Sequence, residues 1–99
     1  MTVKNALLTS FRLFVDLTTT HLTLYFEYAD GSQQAGPFKL SDRLLRALAN
    51  VAGERTLTEV RNVPCRVLVD DNGEIVAFAH FTREPWHNFE QPNSEGEEK

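Results

Sequence analysis

The sequence predicts a two-layer α+β domain: a mostly antiparallel sheet of about five strands, in the order β-β-β-α-β-β, covered by one main helix. Three observations carry this. Residues 21–28 alternate strictly, Leu22, Leu24, Phe26 and Tyr28 against His21, Thr23, Tyr25 and Glu27, which is the period of a half-buried strand. Residues 41–53 instead carry an apolar stripe at helical spacing, Leu44, Leu45, Leu48, Val51 and Ala52, between a serine and a glycine. Residues 64–81 are two strand-like runs around Asp71-Asn72-Gly73, which is a hairpin pattern. One amphipathic helix has one apolar side to bury, and a sheet face can bury it.

Each element has its own signals. Residues 3–16 alternate well enough for a first strand, with Leu7, Phe11, Leu13 and Val15 on one face. Arg12 and Asp16 fall on the other, with Leu8 and Phe14 as apolar exceptions. Thr18-Thr19-Thr20 connects to the second strand, and Asp30-Gly31 reads as a type I′ hairpin turn into the third, residues 33–40. Gly36-Pro37 lies inside that third strand. A proline donates no backbone hydrogen bond, so the strand belongs at a sheet edge or carries a bulge. Ser41 is placed to cap the helix, with Leu40 and Leu45 spaced as a hydrophobic staple, Arg43, Arg46 and Asn50 facing outward, and Gly53 as the stop. Thr56 and Glu59 have capping-box spacing for a short helical turn, with Leu57 and Val60 inward, before Pro64 opens the closing hairpin.

The chain has 99 residues, one domain by size, with 41% apolar and 24% charged residues. Its formal charge is −4, and the last ten positions hold four glutamates against one lysine, which accounts for three of those charges. Residues 90–99 are expected to be an acidic disordered tail on a domain of residues 1–89. The nearly neutral body argues against direct nucleic-acid binding, which draws on a basic surface. A single cysteine, Cys65, excludes an internal disulfide framework and a multi-thiolate zinc site, and fits a reducing cytoplasm. No apolar run approaches the length of a membrane span, and the N-terminus has no secretory pattern.

Few patterns carry chemistry. Cys65 and His80 flank the closing hairpin, and register decides whether they form a thiol–imidazole pair. A two-residue Asn72-Gly73 turn sets them face to face. A three-residue turn with Gly73 left-handed pairs Asp70 with Glu74 and gives one wholly apolar face of Cys65, Val67, Val69, Ile75, Ala77, Ala79 and Phe81. The other face then carries Arg66, Asp70, Glu74 and His80 beside Leu68, Val76 and Phe78. The second register segregates polarity better, so Cys65 is expected in the core. His21, His80 and His87 lack ligand spacing, Asp70-Asp71 is turn chemistry, and no phosphate-cradling glycine loop or nucleophile elbow occurs. The expectation is no catalytic residue, no metal and no cofactor.

What remains has binding character. Trp86 between Arg83 and His87, followed by Phe89, is the aromatic-plus-arginine group that dominates interface energetics. Either Trp86 and Phe89 fold back over the sheet as a plug, or they face a partner. The expected partner-contact residues are Tyr25, Phe78, His80, Arg83, Trp86 and His87. The Gly36-Pro37 edge offers a place where a second copy would pair into a homodimer.

The closing hairpin, Val-Pro-Cys-Arg-Val-Leu-Val-Asp-Asp-Asn-Gly-Glu-Ile-Val-Ala, runs into Ala79-His80-Phe81 and Trp86-His87. With the preceding hairpin and the helix ending in Val-Ala-Gly, it resembles a group of small bacteriophage and prophage proteins with no assigned function. In that group the closing strand usually reads Gly-His-Ile before a downstream Trp-Phe, and the hairpin before the helix is richer in glycine than Gln34-Ala35-Gly36-Pro37-Phe38. The resemblance spans residues 20–89. It implies expression in an infected bacterial cytoplasm and carries over no catalytic residue.

The function expected on these grounds is a non-enzymatic, phage-like binding protein that inhibits a host protein by occupying it. A defence system such as CRISPR or a nucleotide-signalling pathway would suit as target. The alternative is a homo-oligomer that sequesters a nucleotide, with Arg66, Arg83, His80 and Tyr25 supplying phosphate and base contacts.

Overall fold

The computed structural model of the chain describes residues 1–53 and 57–89, and its spine is a 14-residue strand, β1 (Thr2–Val15). β1 pairs antiparallel with β2 (Thr20–Tyr28) through residues 7–15 and with β4 (Val63–Val69) through residues 2–8. β3 (Gly31–Lys39) adds outside β2, β5 (Ile75–His80) outside β4, and a two-residue strand, β6 (His87–Asn88), outside β5. The result is a six-stranded antiparallel sheet in the order β3-β2-β1-β4-β5-β6, with β6 as one strand more than the sequence pattern shows. One helix, α1 (Asp42–Ala52), packs against β4 and β5, so the fold is α+β. The acidic tail expected at residues 90–99 lies outside the described residues. None of the described helices is long and apolar enough to cross a membrane.

The sheet curls. β3 and β6 are its opposite edges, yet the rings of Phe38 on β3 and Phe89 just after β6 stack at 4.5 Å. Phe26 of β2 also meets Phe78 of β5 edge-on at 6.3 Å, across two intervening strands. The concave side therefore encloses the core, which α1 closes with Ala47, Leu48, Val51 and Ala52. At the other end, Gln33 accepts from the Tyr28 hydroxyl at 2.8 Å and donates to the Gly73 carbonyl at 2.6 Å, tying β3 to the β4–β5 turn.

The helix begins and ends as its sequence requires. Ser41 Oγ accepts from the Leu44 N–H at 3.1 Å, and Gly53 takes the left-handed conformation while its N–H reaches the Ala49 carbonyl. Asn50 does not face outward: it is half-buried and meets the end of the closing hairpin, as described below. A single 3-10 turn at Leu57–Glu59 follows, and Val60 is buried. The expected cap at Thr56 and the packing of the Leu57 side chain lie outside the described residues and side chains.

Three details of register differ from expectation. In β1 the pairing slips between Leu8 and Ser10, so Leu8 is fully buried with Phe26 and Leu7 turns outward, while Phe11 and Leu13 resume the inward face. The β2–β3 turn is made by Ala29–Asp30 without a positive φ at either residue, so it is not type I′. That turn needs left-handed backbone at both central positions, and the Cβ of Ala29 opposes it. In the closing hairpin the three-residue turn forms as expected, with the Asp70 N–H on the Glu74 carbonyl at 2.9 Å and Gly73 at φ 84°. One residue later Val76 bulges, so Val69 opposite Ile75 is followed by Leu68 opposite Ala77. Every side chain beyond the bulge changes face. Phe78 joins Val67 in the core, Ala77 and Ala79 go to the convex side, and Phe81 is exposed.

Candidate functional site

The concave rim between α1 and the end of the closing hairpin holds a cleft of about 180 Å³. Three elements build it. The end of β3 supplies Phe38 and Lys39, the first turns of α1 supply Arg43 and Leu44, and the strap after β5 supplies Trp86 and His87. Its floor is aromatic. Phe89 lies between Phe38, at 4.5 Å and 9° between planes, and Phe78, at 4.8 Å and 19°. Phe89 is therefore the plug that closes the curled sheet, and Trp86, three residues earlier, stays half-buried at the edge of the cleft.

Trp86 is held from the convex side. The Arg66 guanidinium lies over its ring at 4.9 Å, within cation–π range. Arg66 is itself fixed: its Nε donates to the His80 carbonyl at 3.0 Å, its Nη2 to the Arg83 carbonyl at 2.9 Å, and Glu84 lies 3.7 Å away. His80 sits at the start of this strap, where its Nδ1 accepts from the backbone N–H of Thr82 at 3.1 Å and of Arg83 at 3.2 Å. These bonds tie residues 80–83 at the start of the strap to the Arg66 side chain that lies over Trp86.

His87 joins the strap to the helix. Its Nε2–H donates to Asn50 Oδ1 at 2.9 Å, and an Arg83 nitrogen reaches the Asn50 carbonyl at 3.4 Å. Arg43 donates to the Asn88 carbonyl at 3.0 Å from the other side of the cleft. Burial, and after it the charge of Arg43, hold the His87 imidazole below its usual value of 6.5. The sign of the consequence follows. Above the unfolded value both states keep a neutral ring and stability is complete. As pH falls, the unfolded chain takes up the proton first, and stability is lost toward the lower folded value. Thermal melts between about pH 7 and about pH 5 should therefore fall more steeply for the native chain than for His87→Gln. Equal slopes would show that His87 is not the group responsible.

The structure brings together Arg83, Trp86, His87 and, at the base of the strap, His80. Of the other two expected contact residues, Phe78 lies in the floor of the same cleft and Tyr25 lies elsewhere. Phe78 is fully buried, because the Val76 bulge turns it inward, and it backs the cleft through its stack with Phe89. Tyr25 is half-buried on β2, in a shallow groove with Arg12, Phe14 and His21. Tyr25 stands opposite Ser10 of β1 and Arg66 opposite Asn5, five residues apart and hence roughly 15 Å along the strand. Within one chain, then, the four side chains expected to hold a nucleotide do not converge. Lys39 and Arg43 in the cleft, and Asn50 beside it against His87 and Arg83, were not among the expected site residues. Arg43 and Asn50 lie on the polar side of the helix in sequence, and only the curl of the sheet brings the closing strap onto them.

The bulge also sets Cys65 directly opposite His80. The pair is not an activated nucleophile. Cys65 is fully buried and burial pushes its thiol up to about 12, while the His80 Nδ1 is committed to the strap backbone. Among the described residues no group of three His, Cys, Asp or Glu side chains is placed to hold a metal ion.

Compared with protein-family models, curated proteins and solved structures, the chain matches none. The fold and site define it as a small α+β domain with a curled antiparallel sheet and a tryptophan-bearing strap beside a shallow cationic cleft.

Proposed function

We propose that the protein acts by binding another protein and not by catalysis, with Trp86 and the adjoining cleft as the contact. The observation that carries this reading is the half-buried Trp86, stacked under Arg66 at the edge of the cleft, on a strap whose first residues are hydrogen-bonded to Arg66 and to the His80 ring. A preorganised aromatic side chain loses little entropy on binding, which is why such residues anchor interfaces. The size of the cleft supports the same reading. About 180 Å³ suits one inserted side chain, whereas small-molecule pockets usually enclose about 300 Å³ or more. Lys39 and Arg43 at the rim favour an acidic neighbour to that side chain. In the phage-like setting implied by the closing hairpin, the partner is a host protein and occupation inhibits it.

The test is affinity recovery from bacterial lysate with the native chain, Trp86→Ala and Arg83→Ala. Trp86→Ala forfeits the guanidinium stack and some apolar burial, about 1–2 kcal/mol of stability, so the domain stays folded. Capture of the partner should fall tenfold or more. If Trp86→Ala instead melts the domain, Trp86 is a structural plug like Phe89 and the contact assignment is wrong.

A further inference from the structure

The last third of β1 has a strand on one side only. β4 covers β1 as far as Leu8, and beyond it residues 10–15 pair with β2 alone. The direction of the free backbone groups follows from the ladder. The Thr20 carbonyl accepts from Leu40 on the β3 side, so Val15, opposite Thr20, cannot share a hydrogen-bonded pair with it. The N–H and C=O of Val15, Leu13 and Phe11 therefore point away from β2, and among the described residues nothing meets them.

This edge is also unusually apolar. Leu13 is 45% exposed, Phe14 60%, Val15 69% and Leu17 completely. Exposed edges are ordinarily blunted by lysine, proline or a bulge. β3, the edge expected to dimerise, has such protection: Pro37 lacks an N–H, and Gln33 is already tied to Gly73. Residues 11–15 have none of it.

We infer that this edge pairs antiparallel with the same edge of a second copy, about a two-fold axis through Phe14. The pattern Arg12-Leu13-Phe14-Val15-Asp16 is a palindrome with inverted charge at its ends. Placed about Phe14, it sets Leu13 against the partner's Val15 and Arg12 against the partner's Asp16, at both ends of the ladder. Phe14 directs its own backbone groups to His21, so the central pair is the close, non-hydrogen-bonded kind, and Leu13 with Val15 makes the flanking hydrogen-bonded pairs. Asp16 is already positioned: the N–H groups of Thr18 and Thr19 donate to its Oδ1 at 2.9 and 2.8 Å, and His21 lies 3.3 Å from Oδ2. Those contacts, first the Thr18 and Thr19 amides and then His21, hold its carboxyl below the usual range, so it meets Arg12 charged. An antiparallel pairing of identical strands also closes at two copies, which an apolar patch of random pattern does not guarantee.

Sedimentation and light scattering of the full chain test this. The native protein should run at twice its 11.3 kDa chain mass. Arg12→Asp sets two carboxylates together at each end and should weaken the dimer about tenfold or more, while Arg12→Asp with Asp16→Arg restores it. Val15→Pro removes an N–H that faces only the second copy, and should give a folded monomer by thermal melt. Trp86→Ala lies on another surface and should leave the mass unchanged, so loss of the partner contact and loss of the dimer are separable. A native chain that stays at 11.3 kDa in solution overturns the inference, whether or not it co-sediments with added phosphatidylcholine–phosphatidylglycerol vesicles. So does a dimer that survives both Arg12→Asp and Val15→Pro.

Discussion

Replacing Phe78 with alanine should destabilise the domain by about 4 kcal/mol, the largest effect of any single side-chain truncation considered. Phe78 has no solvent exposure and meets three rings: Phe89 stacked at 4.8 Å, Phe26 edge-on at 6.3 Å and His87 edge-on at 5.9 Å. Removing it opens a cavity where β2, β5 and the strap after β5 converge. Relaxation cannot fill that cavity cheaply, because a Phe89 ring that moved into it would give up its stack on Phe38. For a domain of this size a loss of that order is a large part of the total stability. Urea unfolding of the native chain, Phe78→Leu and Phe78→Ala should give a graded series, with leucine losing about 1 kcal/mol. If Phe78→Ala unfolds with the native midpoint but fails to bind a partner, Phe78 is a surface contact after all.

Phe78 also shows what was legible in the sequence and what was not. The strict alternation of β2, the serine–glycine bounds of α1 and the Asp-Asn-Gly turn are local signals, and all three elements form where those signals lie. Face assignments failed wherever a bulge intervened. A bulge shifts the pairing by one residue, and the two-residue period then inverts every later side chain. At Thr9 this made Leu8 look like an outward exception when it is core, and at Val76 it made Phe78 look like a surface aromatic. Neither bulge carries a glycine or proline to announce it, unlike Gly36-Pro37, where proline within a strand gave a usable warning. The site was legible to a similar degree. Trp86, Arg83 and His87 stood out as an aromatic–basic cluster, but their support comes from Arg66, Arg43 and Asn50, which curl of the sheet and side-chain reach bring from distant positions. The separation of roles between Trp86 and Phe89 also needed the structure, since either ring would fit the plug by composition.

Gly36→Ala should cost about 3 kcal/mol, and the reason is backbone and not side-chain packing. Gly36 sits at φ 106°, outside the region an alanine adopts without strain. A Cβ there would lie 2.8 Å from the Leu22 carbonyl oxygen and 3.0 Å from the Phe38 nitrogen, both main-chain atoms that cannot rotate away. Gly73→Ala is the control. Its φ of 84° also disfavours alanine, but nothing lies within 4 Å of the added carbon, so only the conformational cost of about 1 kcal/mol applies. Urea midpoints of the two variants should therefore separate clearly, and equal losses would mean that β3 yields at the bulge. The position of Gly36 gives the effect a second consequence. It lies where the β2–β3 register slips between Leu22 and Leu24, and that slip aims Phe38 at Phe89 across the mouth of the curled sheet. Forcing β3 outward at this point separates the two rings that hold the edges together and removes one wall of the cleft beside Trp86. Gly36→Ala should accordingly weaken partner capture more than its stability loss alone explains, whereas Gly73→Ala should leave capture unchanged.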